Sequence, residues 1–190
     1  MTPRPDVSPN PLDGGQACLL ITGAPGAGKT TVAEGVARSL SRSALINGDS
    51  VSRLVVGGYV WPLGYPPEEA AAQVALCNAN ICSLATNFMA AGFTPVVDWI
   101  VPNAEQLDVF RAALGPWLRL VVLDPGATTC IARDRQRPTQ EQFAFDAHDD
   151  LRAGMWQGFG SQGWWLDSSD FNAKSTIRHI LYAAYDRGPC

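Results

Sequence analysis

Residues 23–31 of the chain read GAPGAGKTT. Gly23, four intervening residues, then Gly28, Lys29 and Thr30 satisfy G-x-x-x-x-G-K-[ST] in full, the pattern in which a glycine-rich turn wraps the phosphates of a nucleotide. Context separates a site from an accident. Upstream, ACLLITG (17–23) is an unbroken apolar run of the kind a strand buried on both faces needs. Downstream, KTTVAEGVARSL places Val32, Val36 and Leu40 four apart on one helical stripe. The turn therefore joins a buried strand to an amphipathic helix, as a phosphate-binding loop requires.

Working outward, SALING (43–48), TPVVDWIV (94–101), LRLVVLD (118–124) and GWWLDSS (163–169) read as further strands. A long helix is expected between the second and third, with Pro66, Pro67, Glu68 and Glu69 at its N-terminus and Gly92 past its end. Val74, Cys77, Ile81, Leu84 and Phe88 are its expected buried stripe. Helices are also expected around 104–114, 127–136, 141–155 and 173–186. This alternation points to an α/β fold with a parallel sheet and helices on both faces. Residues 1–16 hold four prolines and are expected to form a disordered leader with nothing to bury, before a single domain over 17–190.

Composition narrows the partners. With 14 Lys and Arg among 190 residues and a formal net charge of -4, the chain lacks the basic surface that binding a nucleic acid demands. The five cysteines, Cys18, Cys77, Cys82, Cys130 and Cys190, include no C-x-x-C pair, which argues against a zinc site or a disulfide framework and for a reducing, cytoplasmic setting. No apolar run approaches a membrane span and no signal-peptide core is present, so no membrane partner is expected. A small-molecule partner fits best.

Pro25 has no N–H, so the amides of Gly26, Ala27, Gly28, Lys29 and Thr30, with Thr31 beside them, are expected to cradle the phosphates. Lys29 bridges the transferred phosphate and the Thr30 hydroxyl binds Mg2+. A carboxylate at the end of a neighbouring strand should share that ion. Asp98 in PVVDW is the candidate; Asp124 in VVLDP is a rival whose following Pro125 suggests a turn. In INGDSVSRL, Asp49 sits at the C-terminal end of the second strand, the ligand-binding edge of an open parallel sheet. It is expected either to accept a proton from an attacking hydroxyl or, with Ser50, to cap the next helix. In ARDRQR, Arg133 and Arg137 are four apart and share a face, with Pro138 ending the helix; Arg135 reads as solvated.

Taken together, the P-loop at 23–30, GDS at 48–50, VVD at 96–98 and the arginines at 133–137 resemble, in order and spacing, the small P-loop kinases. The nearest types are chloramphenicol phosphotransferase and its gluconate- and shikimate-kinase-like relatives. The resemblance spans about 17–186, and only the P-loop is specific by itself. It implies the P-loop NTPase three-layer sandwich, with a five-stranded parallel sheet of order 2-3-1-4-5 and a short lid, and a kinase domain using ATP and Mg2+ to phosphorylate a hydroxyl on a small molecule such as an antibiotic, a nucleoside or a sugar-like compound. It assigns the base to Asp49 and a mobile lid to Arg133 and Arg137. Beyond the D-S pair the chain departs from the drug-modifying enzyme, so that drug is not implied.

The acceptor side is expected in RLVVGGYVWPLGYPPEE, where Tyr59 and Trp61 stand among glycines and prolines and Arg53 can orient an anionic or polyol acceptor. Trp99, next to Asp98, joins this set, whereas His148 and His179 have no partner pattern. Two other readings remain open. A nucleoside or nucleotide kinase is one, although Arg53 is the only arginine between 50 and 70, which disfavours a monophosphate acceptor. The other is a nucleotide-dependent protein that sequesters a toxic compound, similar in outline to the tunicamycin-resistance proteins.

Overall fold

The apolar run ahead of the glycine-rich turn becomes β1 (Cys18–Gly23), every residue of which is buried. In the computed structural model, which describes residues 10–139, 143 and 145–190, β1 is the middle strand of an all-parallel sheet. The order is β2-β3-β1-β4-β5, with β2 (Ser43–Asn47), β3 (Thr94–Asp98), β4 (Leu118–Leu123) and β5 (Trp164–Leu166). This is the expected order and orientation. Leu20 of β1 is in register with Val97 on one side and Leu120 on the other.

Alternation along the strands sends side chains to two cores. Leu20, Val97, Leu120 and Ile46 face α3 (Pro67–Ala90), α4 (Ala104–Leu114) and α6 (His148–Phe159), packing on Cys77, Ile81, Leu107, Phe110, Met155 and Phe159. Leu19, Ile21, Val96 and Val121 meet α1 (Lys29–Ser39) and α7 (Ala173–Arg187) through Val32, Val36, Ile180 and Ala184. With α2 (Gly48–Ser52) and α5 (Ala127–Arg135) the helices number seven among the described residues. No helix there is long and apolar enough to cross a membrane.

Three expectations need correction. On α3 the buried residues are Ala70, Cys77, Asn78, Ile81, Cys82 and Ala85, whereas Leu84 and Phe88 are exposed. Small side chains let the helix lie close to the sheet, and Asn78 is buried because it accepts a hydrogen bond from Trp99 Nε1 at 2.8 Å. The helix placed over 141–155 begins at His148, where Asp149 and Asp150 occupy the first turn and favour the dipole; residues 140–142 and 144 lie outside the described residues.

Finally, residues 10–16 do bury something. Leu12 is fully enclosed beside Leu19 and Val36 in the α1/α7 core. Its carbonyl accepts from the Thr94 hydroxyl, and Asn10 Nδ2 donates to the Leu181 carbonyl at 3.0 Å. Residues 1–9 of the expected leader fall outside the described residues.

Truncating that anchor tests the assignment. Leu12→Ala is expected to cost about 2–5 kcal/mol in urea unfolding, while Leu54→Ala, at an exposed position, should stay within about 0.5 kcal/mol. Equal, small effects would show that Leu12 does not pack in solution.

Candidate active site

Lys29, Thr30, Asp49 and Asp98 lie at or just beyond the C-terminal ends of the parallel strands β1, β2 and β3, where β1 runs into the glycine-rich turn. Gly26 has φ +79° and a Cβ there would lie 2.3 Å from the Cys130 carbonyl oxygen, so only glycine lets the loop close over α5. Gly28, at φ +96°, is the residue before α1. The Ala27 N–H donates to the Ala24 carbonyl at 3.1 Å. That amide is spent inside the loop, which corrects its expected place in the cradle. The amides of Gly26, Gly28, Lys29, Thr30 and Thr31 have no backbone acceptor among the described residues and stand at the start of α1, where the helix dipole favours anions.

Lys29 curls back over this turn and donates Nζ to the Ala24 carbonyl at 3.1 Å. Its side chain keeps some exposure, yet the protein crowded around its head lowers the ammonium's proton affinity below the ordinary lysine value, with Asp98 and then Asp49 working in the opposite direction. Both carboxylates are thus close enough to be felt by this one cation. Asp98 is 5% exposed at the end of β3, in register with Ile21 and with Asn47. Its Oδ2 accepts from Asn47 Nδ2 at 2.9 Å; Oδ1 has no hydrogen bond to the described residues.

The rival carboxylate is committed elsewhere. Asp124 follows β4 and takes Arg152 Nε on both oxygens, at 2.8 and 2.9 Å. Its ion pair ties α6 to the sheet edge. For a divalent ion the fitting set is therefore Asp98 Oδ1 and the exposed Thr30 hydroxyl, few and hard oxygen donors. Mg2+, which retains most of its waters and shares phosphate oxygens, suits such a set. Among the described residues no group of three or more His, Cys, Asp or Glu could hold a metal by itself.

At the end of β2 the chain turns directly into α2, whose cap is neither Asp49 nor Ser50. Asn47 Oδ1 accepts from the Ser50 N–H at 2.9 Å and from Ser50 Oγ at 3.0 Å. Asp49, in the first turn, is exposed and has no side-chain hydrogen bond to the described residues. The capping alternative for Asp49 falls, and its carboxylate stands open at the ligand edge. Asn47 escaped the sequence reading because a strand-end asparagine looks like any other turn residue until β2 and β3 are paired.

The arginines divide. Arg133 spends its guanidinium on three backbone carbonyls, Ala27 at 3.2 Å, Ser168 at 2.8 Å and Phe171 at 3.3 Å. It ties the glycine-rich turn to the segment after β5, a different job from the expected neutralisation of moving phosphate. Arg137, through its charge, is the smallest of the influences on the proton affinity of Lys29 and lowers it. It also pairs loosely with Asp134, Nε to Oδ1 3.8 Å, and Asp134 in turn accepts from the Phe143 N–H at 3.0 Å.

Trp99 is not part of an acceptor wall. It is buried beneath Gly48, where a Cβ would fall 2.1 Å from its ring, and so forms the floor under α2. Arg53, at the C-terminal end of α2, and Tyr59 are exposed. Trp61 is half-exposed and meets the Phe143 ring edge-on at 5.5 Å. From there Phe143 stacks on Phe145 at 5.8 Å and Phe145 meets His148 at 4.9 Å. His148 Nε2 lies 3.1 Å from the Pro25 carbonyl. A histidine to which the sequence assigned no role thus links this aromatic chain to the glycine-rich turn.

Comparisons with known proteins agree with this architecture. A sugar kinase from Janibacter sp. HTCC2649 superposes with a TM-score of 0.67 at 19% identity, over 91% of this chain and 96% of that one. A gluconokinase from Sinorhizobium meliloti 1021 gives 0.59 at 17% identity, over 89% and 91%. The Deinococcus radiodurans tunicamycin resistance protein gives 0.60 at 15% identity, over 92% and 99%. At such identities the likeness is one of fold. No curated protein sequence matches the chain. A family model described as AAA domain (AAA_33) matches residues 19–160, from β1 through the glycine-rich turn and both carboxylates into α6, and on that match the chain belongs to this family and has the fold of a small P-loop kinase.

Proposed function

We propose that the protein is an ATP- and Mg2+-dependent phosphotransferase that moves the γ-phosphate onto a hydroxyl of a small molecule, an antibiotic, nucleoside or sugar-like compound. The observation that carries this reading is the state of Asp49. Its carboxylate is exposed at the ligand edge and is felt by Lys29, while the capping duty it might have performed belongs to Asn47. A purely sequestering protein needs no base there.

In this reading the open amides at the start of α1 hold the β- and γ-phosphates, and the Lys29 ammonium leaves the Ala24 carbonyl to follow the moving group. Thr30 and Asp98 would hold Mg2+, which when bound supplies charge neutralisation on the phosphate oxygens. Asp49 orients the acceptor hydroxyl in line and takes its proton as the new P–O bond forms and the bond to the ADP oxygen breaks. Arg137 meets charge on the equatorial oxygens from the lid side. The loop of 53–66, with Arg53, Tyr59 and Trp61 exposed, offers the acceptor wall. We assign the protein to the cytoplasm, with no nucleic-acid or membrane partner.

The decisive variant is Asp49→Asn, which keeps the shape and removes the basicity. Acceptor-dependent ADP release, found by screening nucleosides, sugars and natural-product antibiotics, is expected to fall by about 10²-fold to 10⁴-fold, with ATP affinity unchanged. Wild-type turnover in this variant would reject Asp49 as the base. No stimulated release from wild-type protein by any of the panel, with tight ligand binding retained, would favour sequestration. On the cation side, Asp98→Asn should raise the Mg2+ concentration needed for half-maximal rate by about tenfold or more. Asp124→Asn, which breaks only a partly exposed pair with Arg152, should leave it unchanged and cost at most about 1 kcal/mol of stability. Equal shifts in the two titrations would remove Asp98 from the ion.

A further inference from the structure

Asn47 is the one described side chain bonded both to the cation-side carboxylate and to the helix that carries the acceptor-side carboxylate. Chemistry dictates which way its amide points. The Ser50 backbone N–H, 2.9 Å away, can only donate, so the atom facing it is the oxygen. The other end is then NH2, which can only donate, and it faces Asp98 Oδ2 at 2.9 Å. An aspartate in place of Asn47 would cap α2 equally well but set two carboxylates against each other, and a serine would cap it without reaching across to β3. Asparagine alone among the good caps does both.

The sheet makes this bridge possible. Asn47 and Asp98 are the last residues of β2 and β3 and are paired in parallel register, so their side chains leave the sheet side by side at its ligand edge. Asp98 is held by one oxygen only, which leaves Oδ1 for another partner. α2 is a single turn of five residues, too short to hold its own direction; the Asn47 cap sets its start, and the Trp99 ring under Gly48, the Cys77 Sγ contact to the Gly48 carbonyl at 3.6 Å and the buried Val51 seat it on the core.

We propose that Asn47 is a positioning residue that sets the distance and direction between Asp49 and Asp98, aligning the attacking hydroxyl with the cation-bound phosphate. The proposal rests on the phosphotransferase reading above. One arm, the donation to Asp98, governs the cation. The other, the cap on α2, governs Asp49. Because the arms are chemically separable, two substitutions resolve them: Asn47→Ser retains a capping oxygen and loses the reach to Asp98, and Asn47→Ala loses both.

The test reads binding as well as turnover. Mn2+ is titrated into the protein with a non-hydrolysable ATP analogue and followed by electron paramagnetic resonance, alongside thermal melting and, with an acceptor found in the screen above, kcat and KM. Asn47→Ser is expected to weaken Mn2+ by about tenfold to 100-fold, the usual effect of removing a partner of a ligating carboxylate, at an almost unchanged melting temperature. Asn47→Ala should weaken Mn2+ equally, melt earlier and lose a further factor of about ten in kcat with little change in the KM for ATP. Wild-type Mn2+ affinity in both variants, with only the melting temperature lowered in Asn47→Ala, would make Asn47 a plain helix cap and overturn the proposal. A wild-type protein that binds no Mn2+ with the nucleotide analogue would instead reject the phosphotransferase reading itself, and the role of Asn47 with it.

Discussion

The parallel pairing of β1 with β3 and β4 is the constraint on which the rest depends. Because all three strands run the same way, their C-terminal ends meet at one edge, and whatever follows each strand is delivered to the same place. After β1 comes the glycine-rich turn; after β3, Asp98 and the Trp99 floor; after β4, Asp124 and its Arg152 pair. Antiparallel pairing would scatter these groups to opposite ends. The sheet tolerates this concentration of charge only because its interior is apolar on both faces, so the polar groups are pressed to the rim where ligand and water can reach them.

At that rim the side chains fall into those that act and those that hold. Arg133, Asp124, Asn47, Trp99 and His148 each spend their polar atoms or their surface on other protein groups. Thr30 and Asp49 are exposed, while Lys29 donates to the Ala24 carbonyl and Arg137 pairs loosely with Asp134. The division follows from packing. Asp98 is 5% exposed, and a buried polar group needs a hydrogen-bond partner, which Asn47 supplies. Asp49, two residues beyond Asn47 on an exposed turn, needs no such support.

The lid side is coupled to the phosphate side by contacts that cross elements. Asp134 binds the Phe143 amide, Phe143 touches Trp61, and Phe145 leads through His148 to Pro25. α5 also meets the glycine-rich turn directly, through Arg133 on the Ala27 carbonyl.

By itself the sequence determined the fold and the glycine-rich turn between its first strand and first helix. Both rest on local regularities: a doubly buried apolar run before G-x-x-x-x-G-K-T, helical spacing after it, and five strands separated by helices. It also placed Asp98 at a strand end, because a strand's last residue is a local property, whereas Asp49, expected at the end of the second strand, lies two residues beyond it in the first turn of α2. What only the tertiary structure decided was how strand ends face one another. The Asn47 cap, the Asp98 bridge, the burial of Trp99 under Gly48, the three carbonyls around Arg133 and the enclosure of Leu12 all join residues far apart in the chain, and no periodicity encodes them. The misplaced stripe on α3 has the same cause: helical spacing marks Leu84 and Phe88 as well as it marks Ile81, but packing against the sheet buries the face with Ala70, Cys77, Asn78, Ile81, Cys82 and Ala85, where Asn78 meets Trp99.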